Sequence, residues 1–280
     1  MTAIRWGVNL PLPGAGRETI ERLLDLGYSD VWTGEGGGTD AFTPLAAAAA
    51  WSPGLRLGTG VVPAQTRGTG VLAQTALSLA ELSGAEVLLG IGSSVPAHVT
   101  ALNGLPHVRP YDTVRDTLRS LRAALPPGAP VKLLVGALRP GMLRLSLREG
   151  DGAITNVLAA GDVPRIVEAA GPLGPGQELV VKIFVHPTED AERARAAGRR
   201  FLGWILGQAP YRAFHEWLGR GDDIARHLTD DLVDELWPHG SPEELRDRIA
   251  AYVHPGVTSV YLHLAENPHV LPDLIPKEHA

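Results

Sequence analysis

The sequence predicts an α/β fold, a (β/α)8 TIM barrel with a helical insertion or lid near its C-terminal strands. Three observations point there. Eight short runs, at 4–10, 30–34, 56–62, 86–91, 131–136, 152–155, 179–185 and 258–264, are mostly continuous and apolar, as parallel strands buried on both faces are. Helical patterns lie between them. The alternation then breaks over 188–257, a stretch too long for one crossover helix. A doubly wound sheet is the rival, because a strand count read from sequence is uncertain by one or two.

The third and fourth runs are the most informative. LRLGTGVVPAQTRG (55–68) and ELSGAEVLLGIGSS (81–94) each carry an apolar strand straight into a glycine-containing turn. Between them, Leu72, Ala76, Leu79 and Leu82 follow a three-to-four spacing and predict a helix over 71–82. This βαβ unit opens two neighbouring strand ends onto small-residue loops, where parallel α/β proteins place ligands. Val114, Leu118 and Leu121 mark a second helix over 111–124. Ser241-Pro242-Glu243-Glu244 reads as a helix start, with Ser as N-cap, Pro at the first position and Glu at the third. Asp40 reads as an N-cap for a helix beginning near Phe42. The long segment carries Trp204, Tyr211, Phe214, Trp217 and Trp237, and is expected either over the C-terminal face, as lid or subunit contact, or as helical packing remote from the site. With no repeat and no clear boundary, residues 1–280 are expected to form one domain.

Composition limits the function. The 280 residues are 44% apolar, enough for a large core, and the net charge of −6 argues against a nucleic-acid surface. The absence of cysteine excludes disulfides, thiolate catalysis and Cys-based metal sites. No His or carboxylate pair has metal-ligand spacing, and HVLPDLIPKEHA at the end reads as a mobile tail. MTAIRWGVNLPLPG lacks the pattern of a signal peptide and no apolar run is long enough for a bilayer, so a cytoplasmic, membrane-free protein is expected.

DVWTGEGGGTDAFTPLAAAA (30–49), LGTGVV with the following Arg67, ELSG before the fourth strand, LGIGSS, VGALRPGMLRLS with EGDGAITN, and the segment 239–264 together resemble the luciferase-like monooxygenase superfamily, and within it the branch that uses the deazaflavin coenzyme F420. The resemblance implies a cofactor ring held across the barrel's C-terminal mouth. It also implies a non-proline cis peptide at Gly60–Val61, with Thr59, Gly60 and Val61 against the ring's back face. VGALRPG would present backbone N–H groups at a helix N-terminus to the cofactor phosphate, through Ala137, Leu138 and Arg139. Arg139 stands where the resemblance implies Gly, and either clamps a phosphate or closes the backbone approach. Ser93 and Ser94 would bond the ring's polar edge or the ribityl chain, or else cap a turn. The His and Glu that such relatives carry after the second and fourth strands are replaced here by Gly36 and Val95.

Glu35 remains as the catalytic candidate. At the end of the second strand it would act as acid or base, or as a structural carboxylate in the GGGT turn. Arg67 would meet a cofactor or substrate anion, or pair with Glu35 or Asp40. His263 ends the eighth strand and could face the mouth; His98 and His107 lie in the loop after the fourth. Three functions follow. The first is an F420-dependent oxidoreductase moving hydride to or from a small organic substrate. The second is an FMN-dependent monooxygenase served by a flavin or F420 reductase, and the third a non-catalytic cofactor-binding barrel. The resemblance also implies a homodimer formed through barrel helices.

Overall fold

The computed structural model describes residues 4–10, 16–36, 39–106, 108–221, 224–265 and 273–277. Nine parallel segments form the sheet: β1 (Arg5–Asn9), β2 (Asp30–Thr33), β3 (Arg56–Thr59), β4 (Val62–Pro63), β5 (Val87–Gly92), β6 (Val131–Gly136), β7 (Gly152–Asn156), β8 (Glu178–Val185) and β9 (Ser259–Leu264). β3 and β4 are two pieces of one stave interrupted at 60–61. Eight staves therefore close a ring in the order β3-β2-β1-β9-β8-β7-β6-β5, with β3 pairing β5. Closure excludes the doubly wound sheet.

Helices α1 (Arg17–Glu21), α2 (Phe42–Trp51), α3 (Thr69–Ser83), α4 (Pro96–Asn103), α5 (Pro110–Ala124), α6 (Pro140–Glu149) and α7 (Val163–Ala170) connect the first staves. The apolar stripes seen in sequence face the sheet with one exception: Leu72, Ala76 and Leu79 of α3 and Val114, Leu118 and Leu121 of α5 are buried, whereas Leu82, in the last turn of α3, is exposed. Asp40 Oδ1 accepts from the amides of Phe42 and Thr43, so it does cap the start of α2. α3 ends at Gly84 in the left-handed region (φ 66°), where a side chain would be strained.

Between β8 and β9 lie α8 (Ala191–Leu206), α9 (Ala209–Trp217), α10 (Asp230–Leu236) and α11 (Pro242–Ala250). Ser241 caps α11 and forms the expected reciprocal box with Glu244. Leu245 and Ile249 of α11 join the main core, so α11 is the ordinary barrel helix before β9. α8 and α10 instead build a second apolar cluster around Leu202, Leu206, Val233 and Trp237. That cluster includes Val157, Ala159 and Phe184, from the C-terminal ends of β7 and β8. The extra helices therefore stand at the mouth and form one of its walls. Among the described residues no helix is long and apolar enough to cross a membrane.

Inside the ring, Trp32, Leu88, Leu134, Ile154, Val180 and Tyr261 make a separate core, with Val61 packed on it. Trp32 and Tyr261 stack with centroids 5.1 Å apart. The indole fits because β1 and β3 carry Gly7 and Gly58 beside it; a Cβ on either would collide with it. Below, the N-terminal end is closed by buried charges. Arg56 donates to both oxygens of Asp30 (2.8 and 2.7 Å), to both of Glu178 (2.7 and 3.3 Å) and to Glu86 (3.0 Å), and Lys132 also reaches Glu178 (2.6 Å). The C-terminal segment departs from the expected mobile tail where it is described. Leu274 and Ile275 are buried in the main core, with Ile275 Cδ1 packed beside Gly27 in the turns that follow α1; residues 269–272 and 278–280 lie outside the described residues.

Candidate active site

The break in the third stave shapes the mouth. The Gly60–Val61 peptide is cis, as the resemblance implied. The interruption is tied on both sides: the Gly60 amide donates to Thr33 O (2.6 Å), the Glu35 amide to Val61 O (3.2 Å) and the Ala64 amide to Gly92 O (2.8 Å). Val61 thereby points into the bore. A Cβ built on Gly92 would lie 2.7 Å from Val61 Cγ2, and one on Gly136 3.2 Å from Cγ1. Only glycine at the ends of β5 and β6 leaves Val61 this place. Gly34, Gly60, Gly92 and Gly136 thus come together as a shelf of bare backbone across the mouth, on which a flat ring could lie.

Beneath the shelf the lining is polar and aromatic. Lys182, in the middle of β8, is nine-tenths buried, and its Nζ lies 3.5 Å from Gly60 O. Its ammonium sits over the rings of Tyr261 (4.9 Å) and Phe184 (5.2 Å). Burial lowers its pKa to about 8. His263 follows Tyr261 by one pleat and packs 4.7 Å from Phe184. Its Nδ1 is shielded without a hydrogen-bond partner, and burial, then the charge of Lys182, hold its pKa well below the ordinary histidine value. Asn156, in register with Lys182, donates through Nδ2 to Tyr211 Oη of α9 (3.1 Å), while its Oδ1 is buried and unpartnered. Buried polar atoms left open in this way suit a polar ligand better than a sealed core.

At the rim near β2, Glu35 is engaged rather than free. Arg67 grips both of its oxygens (Nη2–Oε1 2.8 Å, Nε–Oε2 3.2 Å), reaches Asp40 (3.4 Å) and lies over Phe42 (5.0 Å). The structure so takes the ion-pair alternative for Arg67, because the loop after β4 carries the guanidinium to within reach of the carboxylate; Glu35 is held by that side chain, and residues 37–38 of the GGGT turn lie outside the described residues. Beside it, the space at Gly36 is filled from another element: a Cβ there would lie 3.5 Å from His98 Cε1 and 4.0 Å from Nε2. His98, on α4, has its Nε2 buried without a partner.

Two further expected contacts are displaced. Thr59 is wholly buried and donates its hydroxyl to Gly90 O (2.8 Å), a bond between β3 and β5 below the mouth. Ala137 is likewise buried, and its amide is consumed by Ile154 O (2.9 Å), so it has no N–H to offer a phosphate. Leu138 packs against the core, and exposed Arg139 caps α6 through its backbone alone, with Pro140 at the first helical position. Ser93 and Ser94 are half-buried, directly after Gly92, with Ser94 in the left-handed region (φ 58°). Gly60, Val61, Ser93, Ser94, Leu138 and Arg139 thus ring one end of the barrel; His107 lies outside the described residues.

Sequence reasoning passed over Lys182 and Asn156. One signal was available: ELVVKIFV is an apolar strand with a lone lysine at its centre, buried on both faces.

The profile of the family described as luciferase-like monooxygenase matches residues 13–259. A candidate coenzyme F420-dependent oxidoreductase of Mycobacterium tuberculosis is 32% identical, covering 90% of this chain and 91% of its own. A 5,10-methylenetetrahydromethanopterin reductase of Methanolobus tindarius is 24% identical, over 84% and 85% of the two chains. Among solved structures, an F420-dependent secondary alcohol dehydrogenase in complex with an F420–acetone adduct superposes with a TM-score of 0.75 at 17% identity, covering 98% and 99% of the chains. With its eight-stave ring and a profile match over most of its length, the chain belongs to the luciferase-like monooxygenase family, as an oxidoreductase dependent on F420 or a flavin.

Proposed function

We propose that this oxidoreductase uses coenzyme F420 and moves hydride between the deazaflavin and a small organic substrate. The observation that carries the reading is the shelf of Gly34, Gly60, Gly92 and Gly136, where bare backbone meets Val61 at the mouth. The F420 dependence named for the relatives supports the deazaflavin over FMN. The residues present fit such a group. The α6 N-terminus, with no side chain capping it and Arg139 at its start, suits a phosphate. Asn156 Oδ1 is a buried acceptor for a ring N–H.

When bound, the deazaflavin supplies or accepts the hydride. The chain's work is to orient, to exclude water and to manage a proton. Val61 and the backbone of 60–61 would support the back of such a ring, while α8–α10 and Tyr211 would wall off solvent. His98 Nε2, open and shielded above Gly36, is the group that holds the proton exchanged with a substrate oxygen or nitrogen. The Glu35–Arg67 pair fixes the β2 loop that faces it.

The test is a titration of the purified protein with F420 and with FMN, each oxidised and reduced, followed by fluorescence or absorbance. Tighter binding of F420 is expected. Preference for FMN would overturn the deazaflavin assignment in favour of a flavin monooxygenase. Tight F420 binding with no hydride exchange to any of a broad acceptor panel would favour a non-catalytic barrel.

A further inference from the structure

Among the described residues, Lys182 makes no ion pair and has no carboxylate within hydrogen-bonding reach; its one polar contact is Gly60 O at 3.5 Å. The titratable groups packed on it are Tyr261 and His263, both from β9. Burial raises the Tyr261 phenol, and it lowers His263, so both stay neutral near pH 7. Phe184 on its own strand adds only a ring face. A cation nine-tenths buried, without a counter-ion and under the backbone of the shelf, is an unusual arrangement, since burial penalises an unpaired charge.

We propose that Lys182 is a positioning residue for cofactor charge: its ammonium, reaching up to the Gly60 carbonyl, is the counter-charge for the anionic reduced form of a ring lying on the shelf. The inference rests on the cofactor reading above and adds to it a preference between redox states. The charge balance is simple. A hydride taken from the substrate would add two electrons and one proton to such a ring, making its charge more negative by one unless a second proton arrives. An alcohol substrate that gives this hydride leaves as a carbonyl, its hydroxyl proton passing to His98. Lys182 transfers nothing; it lowers the energy of the anion through a low-dielectric gap, where one unit charge acts strongly. Because the Lys182 pKa is about 8, this preference should weaken as pH rises through that value.

The experiment measures the dissociation constants of oxidised and dithionite-reduced F420, with FMN as second probe, for the wild-type protein, Lys182→Met and Lys182→Arg under anaerobic conditions. At pH 7 the Met variant should keep its affinity for the oxidised form and lose at least tenfold for the reduced form, a shift of about 30 mV in the two-electron potential of the bound cofactor. Lys182→Arg should restore part of that loss. An unchanged ratio in a folded Met variant that binds the oxidised form normally overturns this inference alone. Wild-type protein that binds neither cofactor overturns it together with the proposed function. Should the Met variant fail to fold, the wild-type potential relative to free cofactor decides between pH 7 and 9: a fall supports the role of Lys182, and a flat profile overturns it.

Discussion

Replacing Arg56 by Met should weaken the barrel without touching its mouth. Arg56 is nearly buried at the N-terminal end and neutralises Asp30, Glu178 and Glu86 together. Its loss leaves Asp30, fully buried, with only the hydroxyls of Ser29 (2.9 Å) and Ser259 (3.3 Å) as side-chain partners among the described residues. Glu178 keeps Lys132, so the damage falls mainly on Asp30. Breaking a buried pair in this way costs about 3–5 kcal/mol, and the surviving hydroxyls place this case near 3. For a chain of this length that corresponds to a melting temperature lower by about 6–12 °C. Circular dichroism at 222 nm reads it, together with urea midpoints. Adding Asp30→Asn should recover at least about 1 kcal/mol, because it removes the stranded charge. Cofactor affinity at temperatures where the variant stays folded should match the wild type. A melting point within about 2 °C of wild type, or a double variant no better than the single one, would refute the reasoning.

Arg139→Glu should weaken F420 binding at least tenfold by turning the charge at the α6 N-terminus against the phosphate, with stability within about 0.5 kcal/mol of wild type; unchanged affinity in a titration removes Arg139 from the site. Gly92→Val should push Val61 off its place, costing about 1–3 kcal/mol and lowering affinity for either cofactor, read by melting and by titration. His215 is buried, with Nε2 3.0 Å from Val157 O and Nδ1 3.4 Å from Arg220 Nη1. Burial, then the charge of Arg220, lowers its pKa to about 4. The unfolded chain therefore binds the proton first as pH falls below the ordinary value of 6.5. Stability should drop between pH 6.5 and 4 by up to about 3 kcal/mol, and urea midpoints for His215→Gln should show a flatter profile over that window.

Periodicity and turn chemistry carried most of the fold. Leu72, Ala76 and Leu79 could be placed on one face because helical spacing is a local property. The same holds for the Ser241–Glu244 box and for Asp40 at the start of α2. All eight strand runs correspond to staves, because each apolar run is both a local preference and a demand for burial on two faces. The glycines of LGTGVV and LGIGSS announced a ligand rim. Their physical use, leaving room for Val61 between β5 and β6, depended on two chain segments meeting.

Composition, spacing and resemblance by themselves determined a parallel barrel, its loops of interest and its family. The closed ring decided what those residues touch. Thr59 and Ala137 look like ligand contacts until the ladder claims the hydroxyl of one and the amide of the other. Glu35 looks like an acid until Arg67, 32 positions later, takes both its oxygens. Lys182 looks like one charge in an apolar strand until β9 and the break at Gly60 enclose it. Strand and helix follow from neighbours in the chain, whereas burial, pairing and pKa follow from neighbours in space, and those exist only once the barrel has closed.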